Sequence, residues 1–165
     1  MKIVVSNSGP LIGLSMIGQF DLLKVLFGAV NIPSAVYCEV AIEGRGKPGS
    51  EELAEAVKDG WITVNDVEDS LILGLLKVDL DDGEAEALAL ADRLNADLLL
   101  MDERKGRVRA KQMRREVIGT IGVLLLAREK GVDIDLKVAL DELRKKGFRI
   151  SDKLYRRILR SQMDC

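Results

Sequence analysis

Two kinds of apolar pattern alternate along the chain. Short, dense apolar runs are typical of strands buried on both faces of a sheet, whereas apolar residues spaced three or four positions apart are typical of amphipathic helices. The dense runs predict strands at residues 3–5, 30–32, 61–64, 97–101 and 117–118. The helical spacing predicts helices at residues 11–26, 51–58 and 122–130, after Pro33-Ser34 and from Gly83 onward, and two more between 136 and 160, broken at Gly147.

Strands that alternate with helices predict the fold class. This order is typical of an α/β domain, in which a mostly parallel sheet carries helices on both faces. The sequence contains no internal repeat and no linker-like segment, and 165 residues are enough for one well-buried core. We therefore predict a single domain over residues 1–165, with a helical C-terminal portion from about 132 to 165.

The composition limits the chemistry that the chain can perform. Histidine is absent, which excludes His-dependent catalytic triads and His zinc sites. The two cysteines, Cys38 and Cys165, form neither a metal motif nor a disulfide framework, so a reducing, cytoplasmic setting is predicted. No apolar stretch approaches the roughly 20 residues of a membrane span, so no membrane association is expected. Chemistry in this chain has to rest mainly on carboxylates.

Polar side chains are predicted at the carboxyl ends of the strands, where open parallel sheets bind their ligands. Asn7 follows the first strand, Asp102 follows the strand at residues 97–101, and Glu39 lies on the helix after the second strand. Glu84 and Glu86 flank the apolar stripe of the helix that starts at Gly83, and the periodicity does not choose between them. Oxygen ligands without histidine suit Mg²⁺ or Mn²⁺, which predicts an acidic metal site.

Each of these residues also has a purely structural interpretation. Asp102 is well placed to cap the next helix, and Asn7 suits a turn. A glutamate on a helix face is usually solvated. From the residues alone, the prediction is an α/β domain with a candidate acidic metal site.

Six segments, in order along the chain, resemble a known family. They read VSNSGPLIGL, PSAVYCEV, GEAEALALA, DLLLMDERKGR, GTIGVLLLAREKG and DELRKKGFRISDKLY. Together they are similar to the PIN domain nucleases, which include the toxins of VapBC-type toxin–antitoxin pairs. The resemblance implies a three-layer α/β/α sandwich with a central, mostly parallel sheet. It also implies Mg²⁺- or Mn²⁺-dependent hydrolysis of single-stranded RNA.

The resemblance assigns roles to individual residues. The second and fourth family acids match Glu39 and Asp102, and the third stands eighteen residues before the fourth, which favours Glu84 over Glu86. The first family acid is replaced by Asn7, which offers a carbonyl oxygen but no charge. Loss of such a charge commonly costs about 10²–10³ in rate. The alternative function is therefore a catalytically weakened PIN-like module that binds RNA or protein.

The resemblance further implies an assisting hydroxyl and a set of partners. Thr120 matches the hydroxyl, and single-stranded RNA requires a positive surface near the acids. Seven Lys or Arg lie among residues 104–115, and the candidate RNA contacts are Arg104, Lys105, Arg107, Arg109 and Lys111. A second basic block spans residues 144–160, and solvated helix faces are the competing interpretation of both blocks.

Two protein partners are implied as well. A toxin role would require a small antitoxin protein, and PIN domains commonly pair as homodimers. The apolar helix predicted at residues 11–26 is a candidate dimer face, although the same residues suit the core.

Overall fold

The structure, a computed structural model, describes residues 2–163. The prediction about Cys165 lies outside the described residues. Five strands form one sheet: β1 (Val4–Ser6), β2 (Val30–Pro33), β3 (Ile62–Asn65), β4 (Leu98–Leu100) and β5 (Val117–Ile118). Their order is β3-β2-β1-β4-β5, and every neighbouring pair is parallel. The predicted α/β class with a central parallel sheet is confirmed.

Helices connect and cover the strands. They are α1 (Ser8–Met16), α2 (Leu22–Phe27), α3 (Ser34–Tyr37), α4 (Ser50–Asp59), α5 (Leu71–Leu76), α6 (Asp82–Arg93), α7 (Arg104–Gln112), α8 (Thr120–Glu129), α9 (Leu136–Lys145) and α10 (Asp152–Met163). After α3 the chain continues directly into a π-helical turn at Cys38–Glu43. Helix α5 was not predicted, because its six residues, LILGLL, are apolar on every side and show no helical periodicity.

The sheet has a hydrophobic core on each face. Val4 and Leu100 face one core, together with side chains of α1, α2, α8 and α9. Val5 and Leu99 face the other, together with side chains of α5 and α6. Successive residues of a strand point to opposite faces, so the dense apolar runs serve both cores at once. This arrangement confirms the three-layer sandwich.

The helix predicted at residues 11–26 is two helices, and several of its leucines lie inside the subunit. Gly18 has φ +69, a left-handed conformation that ends the first helix and that side chains other than glycine rarely adopt. Leu11, Leu14 and Leu23 have no solvent-exposed surface and belong to the core beneath α8. The core interpretation is therefore correct for these three leucines, which are not available for a dimer contact.

Two helices, α9 and α10, lie on either side of a break at Gly147, as predicted. Gly147, with φ +96, ends the segment after α9. The Arg144 guanidinium lies 4.3 Å from the centre of the Tyr155 ring, donates to the Ile150 carbonyl at 2.8 Å and pairs with Asp152 at 2.9 Å. These contacts fix the turn between α9 and α10. Within residues 2–163, no helix is long and apolar enough to cross a membrane.

Candidate functional site

The parallel register brings the ends of β1, β4 and β5 to one edge of the sheet. Ser6 pairs with Leu100, and Leu100 pairs with Ile118. The residues that follow these strands, Asn7 and Asp102 among them, therefore lie at the same edge. This is the edge where parallel α/β sheets bind ligands.

Asn7 carries an unpartnered polar atom in a buried position. Its backbone N–H donates to the Leu100 carbonyl at 2.9 Å, which holds the residue in line with the sheet. Its side chain is only 4% exposed, and Oδ1 has no hydrogen-bond partner among the described residues. Leaving a buried polar atom unpaired costs about 1–3 kcal/mol, so such an atom calls for an explanation such as a bound ion.

Oxygen atoms from three segments surround a single point beside Gly83. A Cβ atom built on Gly83 would lie 3.2 Å from Glu39 Oε2, 3.4 Å from Asn7 Oδ1 and 3.6 Å from Asp81 Oδ1. We refer to these three atoms as the oxygen cluster. Glycine leaves the space between them free, and a cavity of about 390 Å³ opens there to solvent between Glu39 and Asp81.

Glu39 reaches the oxygen cluster from the π-helical turn. Such turns are rare and frequently occur at functional sites. Burial raises the pKa of the Glu39 carboxyl, and the nearby charges of Asp81 and Glu43 act in the same direction. A hydrogen bond with the Ser8 hydroxyl opposes that rise. A cation in this space would be attracted by the negative charges of Glu39, Asp81 and Glu43.

Asp81 and Glu84 form a reciprocal capping box at the start of α6. Glu84 N–H donates to Asp81 Oδ1 at 2.8 Å, and Asp81 N–H donates to Glu84 Oε1 at 3.2 Å. Glu84 is 7% exposed. Burial raises the pKa of its carboxyl to about 7, with further contributions from Asp81 and Glu103. Glu84 thus lies at the site, with one oxygen already engaged by the helix terminus.

Asp81 is the residue that sequence reasoning missed. The signal was present, because Asp-x-x-Glu ahead of an apolar run is the pattern of a capping box. Our expectation put the acids on the helix itself, whereas the residue just before the helix contributes an oxygen to the cluster.

Asp102 is held by two hydrogen bonds from Thr120. Thr120 N–H donates to Asp102 Oδ1 at 2.7 Å, and Thr120 Oγ1 donates to Oδ2 at 2.8 Å. Burial raises the pKa of the Asp102 carboxyl, while Thr120 and the Arg107 guanidinium oppose the rise. A Cβ on Gly9 or Gly119 would come within 2.8 or 2.5 Å of an Asp102 oxygen, so glycine is required at both places.

Glu86 serves a different part of the structure. Its Oε1 accepts a hydrogen bond from the backbone N–H of Ala35 at 3.3 Å, in the first turn of α3. Glu86 therefore caps α3, whereas Glu84 lies beside the oxygen cluster.

The residues of the site were tested for their fit to a divalent cation. In residues 2–163, no three Asp, Glu or Cys side chains are grouped closely enough to hold a metal ion by themselves. The oxygen cluster instead combines two carboxylates with the Asn7 amide oxygen. All three are hard oxygen donors of the kind that Mg²⁺ and Mn²⁺ accept, with water completing the shell. The set fits such a cation, and the unpartnered Asn7 oxygen is part of the fit.

The candidate RNA contacts lie in two different environments, a groove beside Asp102 and the outer surface of α7. Arg104 and Arg107 line a groove beside Asp102. Arg109 forms an ion pair with Asp79 at 3.0 Å, and Lys105 and Lys111 are exposed on α7.

The profile of a family described as DUF3368, PIN domain, matches residues 3–163. The chain therefore belongs to the PIN domain family, whose members are typically nucleases that use divalent metal ions. No curated protein matches the chain.

Seven solved chains are similar to this one in structure. One is a PilT N-terminus domain protein, SSO1118, from the hyperthermophilic archaeon Sulfolobus solfataricus P2. The TM-score is 0.57 at 18% identity, and the match covers 76% of this chain and 92% of that chain. At this identity the likeness shows the fold alone.

Proposed function

We propose that this protein is a Mg²⁺- or Mn²⁺-dependent endoribonuclease that hydrolyses phosphodiester bonds in single-stranded RNA. The observation that carries the proposal is the oxygen cluster, in which the unpartnered Asn7 Oδ1 meets carboxylate oxygens of Glu39 and Asp81. Membership of a family of typical nucleases supports the same conclusion.

In this proposal the chain holds the cation and positions the substrate. Asn7, Glu39 and Asp81 would supply the nearest oxygens, with Glu84 and Asp102 beside them. A bound divalent cation supplies Lewis-acid activation of water and neutralises charge on the leaving oxygen.

Two further groups on the chain act on the substrate side of the site. Thr120 fixes the orientation of the Asp102 carboxylate through two hydrogen bonds. The positive charge of Arg107 acts on the Asp102 carboxylate and lowers its pKa. The same guanidinium would attract the phosphate next to the scissile bond.

A cleavage assay tests this function. A fluorescent single-stranded RNA is incubated with the wild type and with Glu39→Gln in Mg²⁺ or Mn²⁺ and in EDTA. Glu55→Gln is the control, because Glu55 is an exposed glutamate on α4, away from the cluster. The proposal predicts metal-dependent cleavage by the wild type and the control, and a loss of about 10²-fold or more in Glu39→Gln. Cleavage that persists in EDTA, or in Glu39→Gln, contradicts it.

A second candidate function is a PIN-like module that binds RNA or protein with little catalysis. The observation that favours it is Asn7, because the cluster holds two carboxylates where a third charge would strengthen cation binding. Asn7→Asp separates the two functions. If Asn7→Asp increases cleavage by about 10²-fold or more, the wild type is a weak catalyst, as the binding-module function requires. An unchanged rate would favour the ribonuclease function.

Family membership also supports a proposed cellular role. We propose a cytoplasmic toxin that is restrained by a small antitoxin protein and that associates as a homodimer. Light scattering on the purified chain tests the dimer. Copurification with the product of a small neighbouring reading frame, together with loss of cleavage in that complex, tests the antitoxin.

A further inference from the structure

A groove of about 750 Å³ lies directly beside Asp102 and joins the two basic blocks of the sequence. Its walls come from α7, from α8 and from the turn between α9 and α10. We call it the arginine groove, because Arg104 and Arg107 line it from the first block and Arg149 from the second. Residues that are distant in sequence thus bring three arginines to one groove at the edge of the site, where Asp102 and Glu103 also line it.

The arginines of this groove differ from others in the same blocks. Arg109 pairs with Asp79, Arg115 pairs with Asp92, and Arg144 pairs with Asp152. In the part of the chain that the structure describes, Arg104 and Arg149 form no ion pair. Arginines that are already paired contribute less to phosphate binding than unpaired ones, so Arg104 and Arg149 remain available to bind phosphate in the groove.

The remaining wall of the groove is apolar and includes an aromatic ring. Phe148 is half-buried and lines the groove together with Leu125 and Leu154, both of which keep considerable exposure. An apolar wall with an aromatic side chain and flanking arginines is the combination that binds an unstacked nucleobase and its phosphates. The volume is that of a small-ligand pocket.

We propose that the arginine groove binds one nucleotide of single-stranded RNA next to the scissile phosphodiester, with its base on Phe148 and its phosphates at Arg104 and Arg149. This inference rests on the proposed function, because it places the nucleotide beside the metal site. It also gives a reason why single-stranded RNA would be bound in preference to a duplex. Bases in a duplex are stacked and paired, so they are not available to Phe148, and only a single strand can use the groove.

Binding is measured by fluorescence anisotropy in EDTA, where metal-dependent cleavage cannot interfere. The probe is a labelled single-stranded RNA of about ten nucleotides. The test variant is Arg104→Ala/Arg149→Ala. The matched control is Arg114→Ala/Lys145→Ala, which removes the same charge from the same two blocks at exposed positions outside the groove.

The proposal predicts that the test variant weakens RNA binding by about tenfold or more. The slope of log affinity against log salt concentration should become shallower by about 1.4, since two phosphate contacts on a single strand are lost. The control should change the affinity by about twofold or less. Equal weakening in both double variants would overturn the proposal, because general charge would then explain binding. Unchanged binding in the test variant would also overturn the proposal. The apolar wall of the groove would then be interpreted as a contact surface for a protein partner.

A second measurement tests the base contact. Single-stranded RNA that contains 2-aminopurine should lose fluorescence when it binds the wild type, because the base stacks on Phe148. Phe148→Leu keeps apolar volume but removes the ring, so it should bind without this quenching. Quenching that is unchanged in Phe148→Leu would overturn the stacking assignment.

Failure of the groove and failure of the nuclease proposal remain distinguishable. Wild-type hydrolysis of bis(p-nitrophenyl) phosphate in Mn²⁺ measures the metal chemistry on a diester that has no RNA chain to occupy the groove. Hydrolysis of this diester without RNA binding would overturn the groove alone. RNA binding that follows the predicted pattern, without hydrolysis, would support the groove and contradict the nuclease.

Discussion

Asn7 and Asp81 direct oxygen atoms at the same point beside Gly83, at 3.4 and 3.6 Å from the position that a Cβ would take. Asn7 is buried at the end of β1, whereas Asp81 is exposed just before α6. In the resemblance to PIN nucleases, the position of Asn7 is the one that lacks its acid. The Asp81 carboxylate therefore lies close to the amide that stands where the resemblance implies a family acid.

Asp81→Asn tests whether this carboxylate contributes to cation binding. The substitution removes the charge but keeps a good helix cap, so α6 should remain folded. We expect Mn²⁺ affinity to fall by about tenfold or more, measured by calorimetry. The control is Asp135→Asn, since Asp135 is likewise an exposed aspartate that caps a helix, α9, and it lies outside the cavity beside Gly83. Equal Mn²⁺ affinity in the two variants would remove Asp81 from the site.

Gly83→Ala should separate folding stability from cation binding. Alanine is favoured over glycine in a helix by up to about 1 kcal/mol, and the close contact of the added methyl with the Glu39 carboxylate offsets part of that gain, so the melting temperature should stay about the same or rise slightly. The added methyl would lie 3.2 Å from Glu39 Oε2 and would occupy space in the oxygen cluster, so Mn²⁺ affinity should fall by about tenfold.

Gly74→Ala on α5 is the matched control for this substitution, because nothing lies within 4 Å of its added methyl. It should share the stability effect and leave Mn²⁺ binding unchanged. Full Mn²⁺ affinity in Gly83→Ala would show that the cation does not use this space.

Thr120→Val tests the positioning of Asp102. The backbone N–H would still donate to Oδ1, but the bond to Oδ2 would be lost in a buried setting. We expect a loss of about 1–3 kcal/mol in the free energy of unfolding, measured by urea denaturation. Cleavage should fall by about tenfold. Thr120→Ser, which keeps the hydroxyl, should recover most of the cleavage, and failure to recover it would assign the defect to packing.

Glu84 should make the metal-free protein less stable as the pH rises. Its pKa is about 7 in the folded protein and near the ordinary value of 4.5 in the unfolded chain, so the folded state holds the proton more tightly. The resulting stabilisation is complete below about pH 4.5 and is lost as the pH rises through about 7.

Urea denaturation in EDTA at about pH 5 and about pH 8 measures this effect. Glu84→Gln should flatten the pH dependence, because glutamine can keep the capping box without titrating. An unchanged slope in Glu84→Gln would show that other carboxylates cause it.

The fold could be predicted from the sequence because its strands carry a strong local signal. The run DLLLM is apolar on both faces, and β4 indeed contributes to both cores. The boundary at Gly147 was also visible, since glycine tolerates its φ of +96. Helix α5 was invisible to the same reasoning, because a uniformly apolar segment has no period to detect.

The site was only partly predictable, because its remaining parts depend on contacts between distant residues. Local spacing could place Asn7 and Asp102 at strand ends, but it could not show which oxygens meet at Gly83. The approach of Arg149 to Arg104 likewise depends on the turn that Arg144 fixes through Asp152 and the Ile150 carbonyl. Pattern analysis sees each basic block alone, and only the packed chain shows that they share a groove.

The most direct test of the central claim is a calorimetric titration of Mn²⁺ into the wild type, Glu39→Gln and Glu55→Gln. The account predicts a saturable site in the wild type and in the Glu55→Gln control, weakened by about tenfold or more in Glu39→Gln. Binding of equal strength in all three proteins, or none in the wild type, would contradict the claim that the oxygen cluster holds a divalent cation.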